Sequence, residues 1–175
     1  MTGGIVICGA NGCGKTTLAK ALAERLGCKH MDIEDYCFEK SDNPYAKART
    51  EEEARALMLS DIRKHGRYVL SCAGGDMGEA INATYRCVVY LSVPLDIRMR
   101  RVRQRAVDKF GTRVLPGGDM YEQEQRFFDY VAARSMEKTE EWLKTLPCPV
   151  IYADGTKPIE ENAAWLAAAV LKGDR

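Results

Sequence analysis

Nine residues near the start of the chain, Gly9-Ala10-Asn11-Gly12-Cys13-Gly14-Lys15-Thr16-Thr17, limit its possible folds more than any other stretch. They fit the G-x-x-x-x-G-K-[ST] spacing without a mismatch. The apolar run Ile5-Val6-Ile7-Cys8 precedes them and a helical pattern over 15–26 follows. Strand, glycine loop and helix in that order build a phosphate cradle. The glycines let the backbone N–H groups turn inward, and the new helix adds orphan donors and the positive end of its dipole. Lys15 supplies a mobile cation for the outer phosphates, and the Thr16 hydroxyl is placed to ligate Mg²⁺. The stretch therefore predicts binding of a nucleoside triphosphate through Gly9, Asn11, Gly12, Cys13, Gly14, Lys15, Thr16 and Thr17.

At 175 residues the chain is long enough to bury a substantial core as one domain, 1–175. Its net charge of +1 gives no argument for a nucleic-acid or membrane partner, and neither is expected. No apolar run approaches the length of a membrane span, and no signal peptide precedes the first strand. Seven cysteines stand at widely spaced positions without a C-x-x-C pair, which predicts reduced thiols and a cytoplasmic setting. Cys13, inside the loop, is expected to be open to alkylating agents.

Strands are predicted at 4–8, 29–31, 68–73, 87–93 and 149–152. Helices are predicted at 15–26, from a Thr50 cap to 65, and at 95–107, 121–145 and 159–171. Thr50 followed by Glu53 reads as a capping box, and Gly27 and Gly66 as helix stops. Apolar rather than alternating strands, separated by helices, argue a three-layer α/β/α fold with a five-stranded parallel sheet. Two irregular segments, near 36–50 (with Asn43-Pro44) and 108–120, are predicted to be mobile flaps.

A nucleotide cradle alone does not separate kinase, GTPase, motor and sensor. The acidic cluster Asp32-Ile33-Glu34-Asp35 ends the second strand, on the edge where open α/β sheets bind ligands. Asp32 is placed to support the Mg²⁺ held by Thr16, and Asp35 or Glu34 to orient or deprotonate an acceptor hydroxyl. A solvated acidic turn with a helix cap is the structural alternative. The third strand ends in Ser71-Cys72-Ala73-Gly74-Gly75, without the acid that usually closes a Walker B strand, which raises the value of Asp32. Arg98, Arg101 and Arg105 share one helix face, while Arg100 and Arg103 read as a solvated face. Arg113, in the glycine-interrupted segment, is placed to swing in on closure, where positive charge stabilises a phosphoryl group in transfer.

With these residues in view, the chain resembles the small P-loop kinases of the adenylate kinase-like group, shikimate kinases included. The resemblance runs nearly the whole length: phosphate loop, acids after strand two, Gly74-Gly75, Val93-Pro94 with spaced arginines, lid and terminal helix. It implies a P-loop NTPase fold with a helical acceptor-binding segment (about 36–66) and a lid (about 108–120). It implies ATP and Mg²⁺ as cofactors. Arg101 falls where such kinases stack an arginine near adenine, and Arg105 where one reaches phosphates. Asp154-Gly155-Thr156-Lys157-Pro158 resembles the loop over adenine, so Lys157 and Pro158 join the nucleotide site. Arg126 and Arg134 resemble positions that contact phosphate or acceptor. The Asp-x-Asp of shikimate kinases stands here as Asp32-Ile33-Glu34, and Arg49 or Arg55 is placed to meet an acceptor carboxylate.

Lys15, Asp32, Asp35, Arg105, Arg113 and Arg134 thus form the candidate catalytic set, with Thr16 and Asp32 on the metal. The expected activity is phosphoryl transfer to a small-molecule acceptor by a monomer or homodimer. The alternative is a nucleotide-dependent regulatory protein with slow hydrolysis. No N-K-x-D guanine motif is present, which disfavours a GTPase.

Overall fold

The computed structural model describes residues 3–40 and 47–172. Five strands form one parallel sheet: β1 (Gly3–Cys8), β2 (Lys29–Asp32), β3 (Arg67–Ser71), β4 (Tyr85–Ser92) and β5 (Val150–Asp154). Their order is β2-β3-β1-β4-β5, which sets β1 at the centre. Val6 lies between Leu70 on one side and Val88 on the other. β1 is buried from Gly4 to Cys8, so both of its faces are covered and apolar side chains suit every position. From β1 the chain first builds the β3–β2 side and then crosses to β4 and β5. That reversal opens a crevice at the C-terminal end of β1, where the glycine loop begins.

One face carries α1 (Lys15–Leu26) and α8 (Ile159–Lys172), whose Leu18, Leu22, Ala163 and Leu166 pack on Ile5, Ile7 and Val89. The opposite face is covered by α3 (Glu51–His65), the short α4 (Glu79–Asn82) and α7 (Glu137–Thr145). There Met58, Ile81 and Leu143 meet Val6, Leu70 and Val88. The Thr50–Glu53 capping box is present on α3, with Glu53 N–H bonded to Thr50 Oγ1 at 3.2 Å and the Glu53 carboxylate accepting from Thr50 N–H at 2.8 Å.

A third core lies outside the sheet. The helices α5 (Leu95–Phe110) and α6 (Tyr121–Ala133), with a 3-10 turn at Gly111–Val114, enclose Val102, Ala106, Val114, Phe128 and Val131. Ile97, in the first turn of α5, packs instead against the core over α1 and α8.

The structure corrects several sequence expectations. The helix predicted over 121–145 is two helices. At Arg134 the backbone turns extended (φ −66°, ψ 115°), and Ser135 Oγ accepts the Glu137 N–H at 3.1 Å in a turn just ahead of the new helix. Serine competes for the backbone in this way without any proline to announce the break. The segment 108–120 is less irregular than expected, since the end of α5 and the 3-10 turn occupy its first half, and Arg113 pairs with Asp119 at 2.6 Å across it. Part of 36–50 is the short α2 (Ile33–Cys37) and a bridge between Phe38 and Ala48; Asn43-Pro44 lies outside the described residues. α4 was not anticipated: Asp76 sets it up by accepting from Gly78 N–H and Asn82 Nδ2.

Candidate functional site

The loop between β1 and α1 has the backbone its sequence requires. Gly12 and Gly14 hold φ of +83° and +94°. A Cβ on Gly12 would lie 2.7 Å from the Arg98 carbonyl oxygen and 2.9 Å from Val102 Cγ2. α5 is therefore seated directly on the loop, and only glycine leaves room for that approach. No side chain caps the start of α1, where Gly14 stands at the N-cap, so the first N–H groups of the helix face the cradle.

Lys15 Nζ donates to the Ala10 carbonyl at 2.9 Å and lies 4.0 Å from Cys13 Sγ, bending its cation back across the loop. Thr16 Oγ1 donates to Asp32 Oδ2 at 3.0 Å, bringing the helix hydroxyl and the end of β2 together. The other oxygen, Asp32 Oδ1, accepts the Glu34 N–H at 3.1 Å and caps α2. The helix-cap reading of Asp32 is thus met by one oxygen, while the other stands beside the Thr16 hydroxyl. A hydroxyl and a carboxylate are hard oxygen donors of the kind Mg²⁺ takes together with waters and phosphate oxygens. Among the described residues no group of three or more His, Cys, Asp or Glu gathers to hold a metal. A Mg²⁺ at this loop would therefore rest on Thr16 and Asp32 with the nucleotide completing its shell.

Three arginines reach the loop from one side. Arg98 Nη1 donates to the Asn11 carbonyl at 3.3 Å, and its Nε to Val93 O at 3.1 Å. Arg101 donates through Nη1 and Nη2 to the Gly155 carbonyl, both at 3.1 Å, and through Nη1 to Cys13 O at 3.4 Å. It ties the loop to the turn after β5, the stretch that also carries Lys157 and Pro158. Arg134, where α6 ends, donates through Nη1 to Asn11 Oδ1 at 2.9 Å, its guanidinium 5.9 Å from the centre of the Tyr130 ring.

Other candidates are placed differently. Arg105 is exposed on α5, and Arg113 is engaged with Asp119, whose carboxyl is held below the usual range by that guanidinium. Arg126 lies 4.0 Å from Glu122, and Lys157 pairs with Glu161 at 3.1 Å. Arg49 is spent on the carbonyls of Asp35, Tyr36 and Phe38, closing the end of α2. Arg55 pairs with Glu51 on α3 and lies beside Gly78. Asp35, in the middle of α2, and Thr17, in the first turn of α1, are exposed. Sequence reasoning underweighted Arg98, whose position three residues before Arg101 was the available signal. His30 Nε2 meets Ser71 Oγ at 3.3 Å, and burial lowers its pKa, so it stays neutral at physiological pH.

Cys13 is 1% exposed, which overturns its expected openness. Its side chain turns into the core over α1, and burial pushes its thiol up, with Lys15 only partly opposing. Its neighbour Cys8 is pushed up to about 12 by burial. Thiolate, the reactive form, is scarce at both. All seven cysteines are free. Peptide mapping after brief iodoacetamide treatment at pH 8 is expected to find label on the half-buried Cys28, Cys37 and Cys148 well before Cys13; prompt labelling of Cys13 in the folded protein would contradict this.

The profile of a family described as AAA domain matches residues 5–126. The uncharacterized protein YqaC of Bacillus subtilis is 32% identical over 166 residues, covering 90% of this chain and 92% of that one. A shikimate kinase of Bacteroides thetaiotaomicron is 32% identical over 110 residues, which cover 57% of this chain and 62% of that enzyme. The crystal structure of a shikimate kinase from Bacteroides thetaiotaomicron superposes with a TM-score of 0.62 at 22% identity, covering 98% of this chain and 99% of that one. The last comparison concerns the fold alone. No helix among the described residues is long and apolar enough to cross a membrane.

Proposed function

Because this chain belongs to the AAA domain family, among the small P-loop kinases of the adenylate kinase-like and shikimate kinase-like group, we propose that it is an ATP- and Mg²⁺-dependent phosphotransferase. Its acceptor is a hydroxyl or phosphate of a small metabolite or nucleotide. One observation carries the reading: Lys15, Arg98, Arg101 and Arg134 all contact a single glycine loop whose helix hydroxyl meets Asp32. A phosphoryl group in transfer spreads negative charge over its equatorial oxygens, and fixed cations around it lower the barrier.

In this reading the loop N–H groups and Lys15 hold the outer phosphates, and Thr16 and Asp32 hold Mg²⁺. Bound Mg²⁺ offsets phosphate charge and aligns the transferring group. Arg101, Lys157 and Pro158 border the base. Arg134 is the lid-side arginine nearest the loop, and Arg105 and Arg113 approach only if the lid rearranges and the Asp119 pair opens. Asp35 orients or deprotonates the acceptor. The chain acts as one kinase domain, with an acceptor segment at about 36–66 and a lid at about 108–120. It works in the cytoplasm, as a monomer or homodimer, on a small diffusible acceptor; the net charge of +1 suits that better than a polyanion.

A panel of sugars, hydroxy acids, nucleosides and nucleoside monophosphates, each given with ATP and Mg²⁺, tests the proposal through ADP release. At least one class is expected to raise release above the rate with water alone, with a phosphorylated product seen by mass spectrometry. Nucleotide binding with no acceptor dependence across the panel would favour the regulatory alternative.

A further inference from the structure

The lid arm grips the glycine loop by a side chain at Asn11. α5 and α6 form an arm with its own core, and that arm meets the loop at adjacent residues. At Gly12 the contact is backbone and fixed: the Arg98 carbonyl and Val102 stand where any Cβ would go. At Asn11 it is made of hydrogen bonds. Arg98 takes the carbonyl at 3.3 Å, and Arg134 takes the amide oxygen Oδ1 at 2.9 Å. Arg134 comes from where α6 stops and the backbone is extended, so no helix fixes its direction. Its other neighbour is the Tyr130 ring at 5.9 Å, a contact that tolerates sliding. Asn11 Oδ1 is then the directional restraint on this guanidinium.

We propose that Asn11 is a positioning residue: its amide oxygen holds the Arg134 guanidinium at the mouth of the phosphate loop, aimed at the outermost phosphate of a bound triphosphate. The chemistry is economical in donors. A guanidinium carries five N–H groups in a planar fork, and the bond to Asn11 uses one, leaving the rest of the fork for phosphate oxygens. A neutral amide serves better here than a carboxylate, because it orients the cation without cancelling the charge that the phosphate is to feel. The contact also places Arg134 before any ligand binds, so the ordering of a long side chain is not charged against the binding step.

This inference rests on the loop's being a triphosphate cradle, and it separates from the kinase reading in a binding experiment that needs no acceptor. Calorimetry on the full chain with Mg²⁺ compares ADP with the non-hydrolysable analogue adenylyl-imidodiphosphate. The proteins are wild type, Asn11→Ala, Arg134→Ala and the double variant. Asn11→Ala is expected to weaken the analogue about tenfold, the scale of one charge-assisted hydrogen bond, and ADP less than about twofold. In the Arg134→Ala background the same change is expected to do almost nothing further, because coupled residues are not additive. Asn11→Asp keeps an acceptor oxygen and is expected to retain the coupling to Arg134. Equal losses for both nucleotides, or additive losses in the double variant, would overturn the positioning role while leaving the kinase reading intact. Coupling without acceptor-dependent transfer would do the reverse. A wild-type protein that binds neither nucleotide would remove both.

Discussion

Lys15→Ala is expected to lower nucleotide-dependent phosphoryl transfer by about a thousandfold or more, since removing one preorganised donor to developing charge costs on the order of a hundred- to a thousandfold and Lys15 contributes a full cation as well. The fold should persist. Lys15 is half-buried at the start of α1, and its one close hydrogen bond is to the Ala10 carbonyl of the same loop. It belongs to none of the three cores, and alanine is a better helix former than lysine. Unchanged far-UV circular dichroism and an unchanged melting temperature, alongside lost turnover, are the expected pair of results. Lys15→Met, which keeps the aliphatic stem, should be as inactive as Lys15→Ala. Near-normal turnover by either variant with an identified acceptor would break the proposed mechanism.

The second large effect belongs to Asp32, and here two variants separate two roles. One oxygen faces Thr16 and the other caps α2. Asparagine caps about as well as aspartate, whereas alanine at such a position costs about 1 kcal/mol. Asp32→Asn is therefore expected to cut transfer about a hundredfold and raise the Mg²⁺ needed for half-maximal rate, with little change in melting temperature. Asp32→Ala should be as slow and also melt about 2–4 °C lower, the shift such a loss brings in a chain of this size. If Asp32→Asn kept its rate and Mg²⁺ dependence, the carboxylate would be a cap alone and the metal support would lie elsewhere.

Strong local periodicity made the sheet and its flanking helices readable. Val6, Val69 and Val88 sit in short apolar runs, bounded by Gly9, by Gly74 and by Pro94, and the Thr50 capping box marked the start of α3. What stayed hidden depended on contacts across the chain. The break at Ser135 follows from a side chain bonding a backbone N–H two residues on, which serine does without altering the hydrophobic pattern. The burial of Cys13 follows from a tight turn that throws its thiol under α1. Within the site, the loop and the Thr16–Asp32 pair were legible because spacing and strand ends locate them. The arginines were harder. Five of them crowd the helix 95–110, and which two touch the loop is decided by how α5 rests on Gly12. The grip of Arg134 on Asn11 spans 123 residues of sequence and has no local signature.

The division of α5 between two cores has a mechanical consequence. Ile97 is anchored with α1 and α8, while Val102 and Ala106 belong to the arm. Arg98 and Arg101 lie on the stretch between these anchorages, and each is bonded to the glycine loop. The helix is thus pinned to the loop where it passes from one core to the other. A displacement of the outer arm about that point would strain the hydrogen bonds to the carbonyls of Asn11, Cys13 and Gly155. A ligand that shifted those carbonyls would act on α5 at the boundary between its two anchorages, where a small local movement would be passed to the arm.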